Sequence, residues 1–264
     1  MIAELHIETK QRDGCTHLKK VYATPPFKIA DVREDKRDKT LQLMVMSSSP
    51  GILDGDEYRI KIDLDEDCRL DLQTQSYQRI FNMQGSALQQ VEVEMAKGSS
   101  YQYLPHPSVP HENSDFTAKN KIYLSNNCRL IWGEVLTCGR KLNGEVFLFT
   151  KYHNFTEIFL NGKLIIKENL LMIPKQINVN AMGQLEGFTH QASLIYLDEK
   201  ADAKQLRESI NVFLTGQAHI TYGITEAPKN GLIIRILGQK AEQLHNCLKA
   251  IANMINAKKV VAYA

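Results

Sequence analysis

The segment EYRIKIDLDEDCRLDLQTQ (residues 57–75) decides the fold class, because it joins two alternating stretches through a polar turn. Apolar side chains occupy every second position in both stretches: Tyr58, Ile60, Ile62, Leu64, Cys68, Leu70 and Leu72. Successive side chains of a β-strand point to opposite faces, so this period of two predicts strands with one buried face each. The intervening DED cluster is typical of a turn between strands.

The same form recurs along the chain, as a polar turn, a small residue and an alternating strand. It is found in DEDCRLDL (65–72), KGSSYQYL (97–104) and SNNCRLIW (125–132). The repeats start about 30 residues apart, which leaves room for other strands between them. A recurring unit of this length favours stacked strand layers, a β-helix-like body, over a sandwich. We therefore predict a mainly β protein whose layered body covers residues 1–197.

After residue 197 the pattern changes to helix, strand, strand, helix, which predicts a small α/β appendage (198–264) packed on the body. The first helical segment repeats Leu206, Ile210 and Phe213 at helical spacing. The last segment, QKAEQLHNCLKAIANMINAKK (239–259), places one apolar set on a single face: Leu244, Cys247, Leu248, Ile251 and Ile255. Such a unit would cover an otherwise exposed end of the strand layers.

Composition limits the classes of partner. The 264 residues carry 32 Lys and Arg against 30 Asp and Glu, a formal net charge of +2. This balance gives no electrostatic footprint for nucleic acid or an anionic membrane surface. The chain also lacks the run of about 20 apolar residues that spans a bilayer. We expect a cytoplasmic protein with neither nucleic-acid nor membrane partners.

The segment SSPGILDGDEY (48–58) has features of both a phosphate loop and a carboxylate site. A phosphate loop leads into a helix, but here a strand follows Gly55 and no GK[ST] is present. Local sequence does not decide whether Asp54, Asp56 or Glu57 faces another carboxylate across a cleft. The alternative is a pair of tight turns in which Asp56 accepts backbone N–H bonds.

Two readings stay open for LPHPSVPHENSDF (104–116). His106, His111, Glu112 and Asp115 are suitable ligands for nickel or zinc, which bind imidazole and carboxylate groups. The other reading is a surface connection held by its prolines, without strand or helix.

Glu134 lies within LIWGEVL (130–136), an apolar stretch that predicts a buried strand. An unpaired buried charge is too costly, so this carboxylate must be paired, bound to metal, or in contact with water in an internal channel. Arg140 is the candidate partner if the carboxylate is simply paired.

Six segments, taken in order, resemble one family. They are TPPFKI (24–29), SSPGILDGD (48–56), LQTQSYQRIF (72–81), YLPHPSVPHENSDF (103–116), LTCGRKLNGEVF (136–147) and EGFTHQASLIYL (186–197). Their order and spacing resemble those of the urease accessory protein UreD, called UreH in some bacteria. The resemblance covers nearly the whole chain and implies a mainly β, non-enzymatic scaffold. Such a scaffold contacts apo-urease, recruits UreF and, through it, the GTPase UreG, and helps to pass nickel.

The resemblance also assigns residues to motifs for partner binding or structure. The matching positions are Gly51, Gly55, Gln75, Ser76, Gly139, Arg140, Gly144 and Glu145. Glu134 and Asp56 are the candidates for transient contact with nickel, and no tightly bound cofactor is implied. A rival prediction from the residues alone is a β-solenoid carbohydrate-active enzyme, which needs two opposed carboxyl groups in a groove.

Overall fold

A computed structural model describes residues 1–261 of the chain, of which about half are in strands and 13% in helices. The strands are β1 (Ile2–Arg12), β2 (Cys15–Ala23), β3 (Phe27–Asp31), β4 (Leu41–Ser47), β5 (Glu57–Leu64), β6 (Arg69–Thr74), β7 (Gln78–Ile80), β8 (Ala87–Met95), β9 (Ser100–Tyr103), β10 (Ser108–Pro110), β11 (Asp115–Leu124), β12 (Arg129–Thr137), β13 (Lys151–Leu160), β14 (Lys163–Met172), β15 (His190–Asp198), β16 (Ile220–Ala227) and β17 (Gly231–Gly238). The helices are α1 (Ala203–Thr215) and α2 (Ala241–Val261), with a 3₁₀ turn at Lys141–Asn143. The prediction of a mainly β protein is confirmed.

The strands form two sheets. The first sheet has the order β14-β13-β11-β8-β5-β1-β2, and the second follows β16-β17-β15-β12-β9-β6-β4-β3, with β7 and β10 beside it. From β4 to β13 the chain alternates between the sheets, and these central strands are parallel to their neighbours. Antiparallel strands flank them. Whether the layers amount to a β-helix stays a prediction.

The segment 57–75 folds as its alternation predicts. It forms β5 in the first sheet and β6 in the second, and its apolar positions are buried except for the partly buried Ile60. The repeated turns contact one another at one end of the body, because Asp67 N donates to Lys97 O at 3.0 Å and Gly98 N to Asn126 O at 3.1 Å. Asp67, Gly98 and Asn127 all adopt positive φ. The three recurring segments are therefore neighbours in space.

The C-terminal elements extend and cover the second sheet. Strand β17 pairs with β15, and β16 pairs with β17. The predicted apolar face of α2 is buried in a separate core together with Leu206 and Ile210 of α1 and Leu194 of β15. The N-cap of α1 is Asp202, whose carboxylate accepts from Gln205 N at 3.0 Å. Both helices form where the spacing predicts them, while the division into two domains at residue 197 stays a prediction.

The proline-rich connection is more structured than predicted. Ser108–Pro110 forms the short strand β10, which pairs with β7 and contacts β12. The prediction of a connection without strand was therefore wrong in this detail, because a strand at the sheet margin tolerates proline. Within residues 1–261, neither helix has the length and apolar character needed to cross a membrane.

Candidate functional site

Gly51 lies where two backbone segments approach closely. A Cβ atom at this position would lie 2.3 Å from Arg79 O and 2.9 Å from Phe81 Cε2. The neighbouring Ile52 donates its N–H to Arg79 O at 2.8 Å and accepts from Phe81 N at 2.9 Å. The SPG motif therefore fastens this loop beside β7, and only glycine leaves enough room.

Asp56 closes the turn that follows. Its Oδ2 accepts from Leu53 N at 2.9 Å, and its Oδ1 lies 3.1 Å from the ammonium group of Met1. Gly55, with φ of +72°, provides the left-handed residue of this turn. The prediction that Asp56 accepts backbone N–H bonds is confirmed. Its suggested contact with nickel stays a prediction, and both carboxylate oxygens already have partners.

Three predicted motif residues line one cavity, which opens to the surface at Gln75 and Ser76. Gly51, Gln75 and Ser76 border a space of about 110 Å³ between the sheets. The remaining wall is largely apolar and aromatic, with Tyr58 from β5 and Tyr101 from β9 among its members. The structure thus brings together two motifs separated by more than twenty positions in the sequence.

Glu134 on β12 lies deep between the sheets, as its apolar surroundings predict. Burial raises the pKa of this carboxyl to about 7, while Asn154 and Trp132 act to lower it and Glu168 to raise it. Asn154 Nδ2 donates to Glu134 Oε2 at 2.5 Å. The indole N–H of Trp132 makes no hydrogen bond of normal geometry to any described residue. Burial therefore has the largest effect on the charge state of Glu134.

The polar groups around Glu134 form a connected network. Asn120 Nδ2 donates to Asn154 Oδ1 and to Thr156 Oγ1, both at 2.9 Å. Glu168, on the neighbouring strand β14, is held by Arg235 at 2.6 Å. Asn120, Asn154 and Thr156 are buried polar side chains among apolar ones, and hydrogen bonding compensates their desolvation, whereas Glu168 and Arg235 are partly open to solvent.

A second, smaller cavity borders Glu134 directly. Its volume is about 20 Å³, enough for roughly one water molecule. Part of the Glu134 side chain remains accessible although the residue is enclosed by protein. This cavity shares four wall residues with the 110 Å³ cavity: Gln78, Gln89, Tyr103 and Pro105. Glu134 and the Gly51 motif therefore border adjacent spaces between the two sheets.

The predicted GR/GE motif forms a loop outside these cavities. Arg140 donates from Nε to Glu145 Oε2 at 2.9 Å, and its second guanidinium nitrogen also contacts this carboxylate. Gly144 ends the intervening 3₁₀ turn at φ of +83°. A Cβ atom on Gly139, whose φ is +121°, would lie 3.0 Å from Glu145 O and 3.1 Å from Pro110 O. The expectation that Arg140 would pair with Glu134 was wrong, because Glu145 holds the guanidinium.

The GR/GE loop and the Gly51 loop nevertheless lie along one ladder. Ile52 bridges Ile80, Ile80 is paired with Pro110, and the carbonyl of Pro110 is one of the two that crowd Gly139. The exposed Leu142 stands within the GR/GE loop. The Gly51 loop and the GR/GE loop therefore follow one another along the same edge of the body.

The histidines of the proline-rich segment lie in different surroundings. The His106 ring is 4.9 Å from that of His245 on α2, whereas the His111 ring is 4.7 Å from that of Phe81. Burial lowers the pKa of both His106 and His111. Asp115 binds Lys151 at 2.7 Å. In the described part of the chain, no cluster of three potential metal ligands includes these residues.

Sequence reasoning missed Asn120, Asn154 and the glutamines of the cavity wall. The signal that identifies them is phase along the strand. In β11, Asn120 is in phase with the buried Phe116 and Ile122, and in β13 Asn154 is in phase with the buried Tyr152. A polar residue at an inward position must find a polar partner inside.

Comparisons with known proteins show what this chain is similar to. The model of the family described as UreD urease accessory protein matches residues 1–262. A urease accessory protein UreD of Flavobacterium johnsoniae is 48% identical over 252 residues, which are 95% of this chain and 91% of that protein. The UreD of Acetivibrio thermocellus is 36% identical over 254 residues, or 96% of this chain and 97% of that protein. The UreD of Haemophilus influenzae is 33% identical over 270 residues, or 97% of this chain and 100% of that protein.

These matches extend over almost the full length of both this chain and its relatives. They therefore include the Gly51 motif, the GR/GE loop and the strands that surround Glu134. The chain belongs to the UreD family of urease accessory proteins, and its role is in the maturation of urease.

Proposed function

We propose that this chain is a non-catalytic cytoplasmic scaffold that binds apo-urease, recruits UreF and the GTPase UreG, and helps nickel to reach the urease active site. Membership of the UreD family supports a role in urease maturation. The observation that carries the nickel role is the carboxylate of Glu134, which borders a small cavity between two sheets. In this role nickel is an ion that the protein transfers to urease, and it is not a resident cofactor.

A conduit has to attract a dication without retaining it. Glu134 offers a carboxylate, and Asn120 and Asn154 provide amide oxygens, all of which are hard donors that suit a divalent ion in transit. A cavity of about 20 Å³ does not admit a fully hydrated ion. The ion would exchange water for these oxygens one or two at a time, and the cavity wall would have to open as it passes.

The decisive experiment compares variants of Glu134 in cells that make urease and its accessory proteins. Glu134→Ala removes the carboxylate, and Glu134→Lys replaces it with a charge that repels nickel. We expect both to lower the nickel content and activity of urease, with the lysine variant more severely affected. Glu157→Gln, which changes a carboxylate on the outer face of the first sheet, is the matched control.

Capture of the partners must be measured on the same variants. If Glu134→Lys still copurifies with UreF, UreG and apo-urease while urease lacks nickel, the defect lies in metal passage. Full urease activity with lysine at position 134 would overturn the conduit role. Absence of any complex between the wild-type chain and these partners would overturn the scaffold role.

The rival enzyme requires two opposed carboxyl groups free to act on a sugar. Glu168 is the carboxylate that acts electrostatically on Glu134, and Arg235 holds it at 2.6 Å. The enclosed cavity of about 20 Å³ is also far too small for a sugar ring. We therefore favour the scaffold over the carbohydrate-active enzyme.

A further inference from the structure

The outer face of the first sheet arranges its charges in rows that cross neighbouring strands. One row, in register from β5 to β14, alternates strictly in sign: Lys61, Glu92, Lys121, Glu157 and Lys167. Opposite charges directly across a strand pair stabilise a sheet, and like charges destabilise it. This row shows the usual solution, in which each carboxylate has a lysine on either side.

The adjacent row breaks this rule. Glu8 on β1 pairs in register with Asp63 on β5, and Asp63 pairs with Glu94 on β8. Three acidic side chains therefore stand in succession across three strands. His6 lies beside this row, since it is two residues before Glu8 and shares its face of β1. Lys20 of β2 pairs in register with Glu8 at one end of this row, but Asp63 lies between two carboxylates, so the three acidic side chains have one cation in register.

Three of these side chains converge. His6 Nε2 is 2.5 Å from Asp63 Oδ2 and 3.8 Å from Glu8 Oε1, and the ligand atoms of all three residues lie within 4.8 Å of one another. Among the residues that the structure describes, this is the one cluster of three or more potential metal ligands. All three side chains are partly buried, so their positions are restricted before any ion arrives.

We propose that His6, Glu8 and Asp63 form a binding site for a divalent first-row transition metal ion, separate from the interior carboxylate Glu134. One imidazole nitrogen and two carboxylate oxygens suit Ni²⁺ or Zn²⁺. With metal–ligand bonds of about 2.1 Å, neighbouring ligand atoms lie about 3 Å apart. His6 Nε2 and Asp63 Oδ2 are 2.5 Å apart and share a proton, so an arriving ion would release this proton to solvent and separate the two atoms, while the Glu8 carboxylate would move closer and water would complete the coordination.

The surrounding lysines set the strength of the site. Lys19 and Lys20 lie 3.6 Å and 3.8 Å from the Glu8 carboxylate, and Lys61 lies 3.7 Å from that of Asp63. All three are well exposed, so their ammonium groups can move into solvent when a metal ion neutralises the row. Their positive charge weakens the binding, which makes this a site for reversible loading.

The test uses the full-length protein and two probes. Calorimetric titration with Ni²⁺ gives the number of bound ions, and NMR of the imidazole groups during titration with Zn²⁺ reports which histidine binds. We expect His6→Asn and Asp63→Asn each to lose one equivalent of Ni²⁺ or to bind it at least about tenfold more weakly. In the wild type, Zn²⁺ should shift the His6 imidazole signals.

His153→Asn is the matched control, because His153 lies on the outer face of β13 and bonds Asn169 Oδ1 at 2.7 Å. This variant should bind Ni²⁺ as the wild type does. Circular dichroism of each variant verifies the fold, and Asp63→Asn keeps the shape of the side chain it replaces. Unchanged Ni²⁺ binding in His6→Asn, or His6 signals unaffected by Zn²⁺, would overturn the proposal whatever the outcome for Glu134 in urease activation.

Discussion

Asn154 Nδ2 donates a hydrogen bond of 2.5 Å to Glu134 Oε2, and this bond joins the first sheet to the second across the interior. Asn120 in turn donates to Asn154 Oδ1, so a short series of amides ends at the carboxylate. The series gives Glu134 a fixed orientation. One polar contact thus links the packing of the two sheets to the charge state of the group that we propose as a nickel contact.

The first prediction concerns the stability cost of Glu134. Burial raises the pKa of its carboxyl from 4.5 to about 7 in the folded protein. Between these values the folded state holds more protons than the unfolded state, so stability falls as pH rises and levels off above pH 7. We expect Glu134→Gln to increase the free energy of unfolding at pH 8 by on the order of 3 kcal/mol.

Urea denaturation of both proteins at pH 4.5 and pH 8 measures this effect. The gain from Glu134→Gln should shrink toward zero at pH 4.5, where the wild-type carboxyl is protonated in the folded state. Glu157→Gln, which changes a carboxylate on the outer face of the first sheet, is the control measured in the same way. A gain of the same size at both pH values would show that ionisation of Glu134 is not its origin.

The second prediction concerns acid sensitivity. Burial lowers the pKa of His190 and of His245 from 6.5 to about 4, with Lys141 and Lys249 respectively adding to the effect. The unfolded state binds more protons between these values, so the stability present above pH 6.5 is lost as pH falls toward 4. We expect His245→Leu to lose less stability than the wild type between pH 7.5 and pH 5.

Denaturation at these two pH values tests the change, since leucine keeps an apolar side chain of similar size at a buried position. The exposed His219 provides the control, replaced by asparagine because its φ is +60°. An equal loss of stability in His245→Leu and wild type would exclude His245 as a source of acid sensitivity.

The third prediction separates the two glycines of the SPGILDGD motif. Alanine at position 51 would bring its Cβ to 2.3 Å from Arg79 O, a backbone atom that cannot move alone. Gly55 has no atom within 4 Å of its hypothetical Cβ, so alanine there meets only the strain of positive φ. We expect losses of at least about 2 kcal/mol for Gly51→Ala and about 1 kcal/mol for Gly55→Ala. Thermal unfolding of the two variants ranks them, and the reverse order would contradict this account.

The fourth prediction concerns the GR/GE loop and depends on the scaffold role. Arg140→Ala removes the hydrogen bonds that hold Glu145 and frees the loop that carries the exposed Leu142. Glu145 is buried and would lose its cationic partner, so the thermal midpoint should fall, and capture of UreF or apo-urease by the folded variant should fall several-fold. Arg37→Ala, which removes a more exposed arginine–carboxylate pair with Asp35, shows the effect of losing an arginine outside the loop. Equal capture by both variants would show that the loop is structural only.

Much of the fold follows from local pattern, while the polar interior does not. The alternation in 57–75 predicts the strands, and helical spacing predicts the buried faces of α1 and α2. The burial of Glu134 was also foreseeable from its apolar neighbours. The hydrogen-bond partner of Glu134 was not predictable in the same way. Arg140 is close to Glu134 in sequence, whereas Asn154 contacts Glu134 from a strand of the other sheet. Contacts between sheets depend on register and layer order, which a single sequence does not reveal.

The alternation of β4 to β13 between two sheets has a consequence for synthesis of the chain. Each parallel strand finds its neighbour only after an excursion through the opposite sheet, so these pairings are non-local and form slowly. While the ribosome is still extending the chain, the newest strand of the growing stack exposes its backbone N–H and C=O groups, where another molecule can aggregate. A companion that binds during translation would protect this nascent edge.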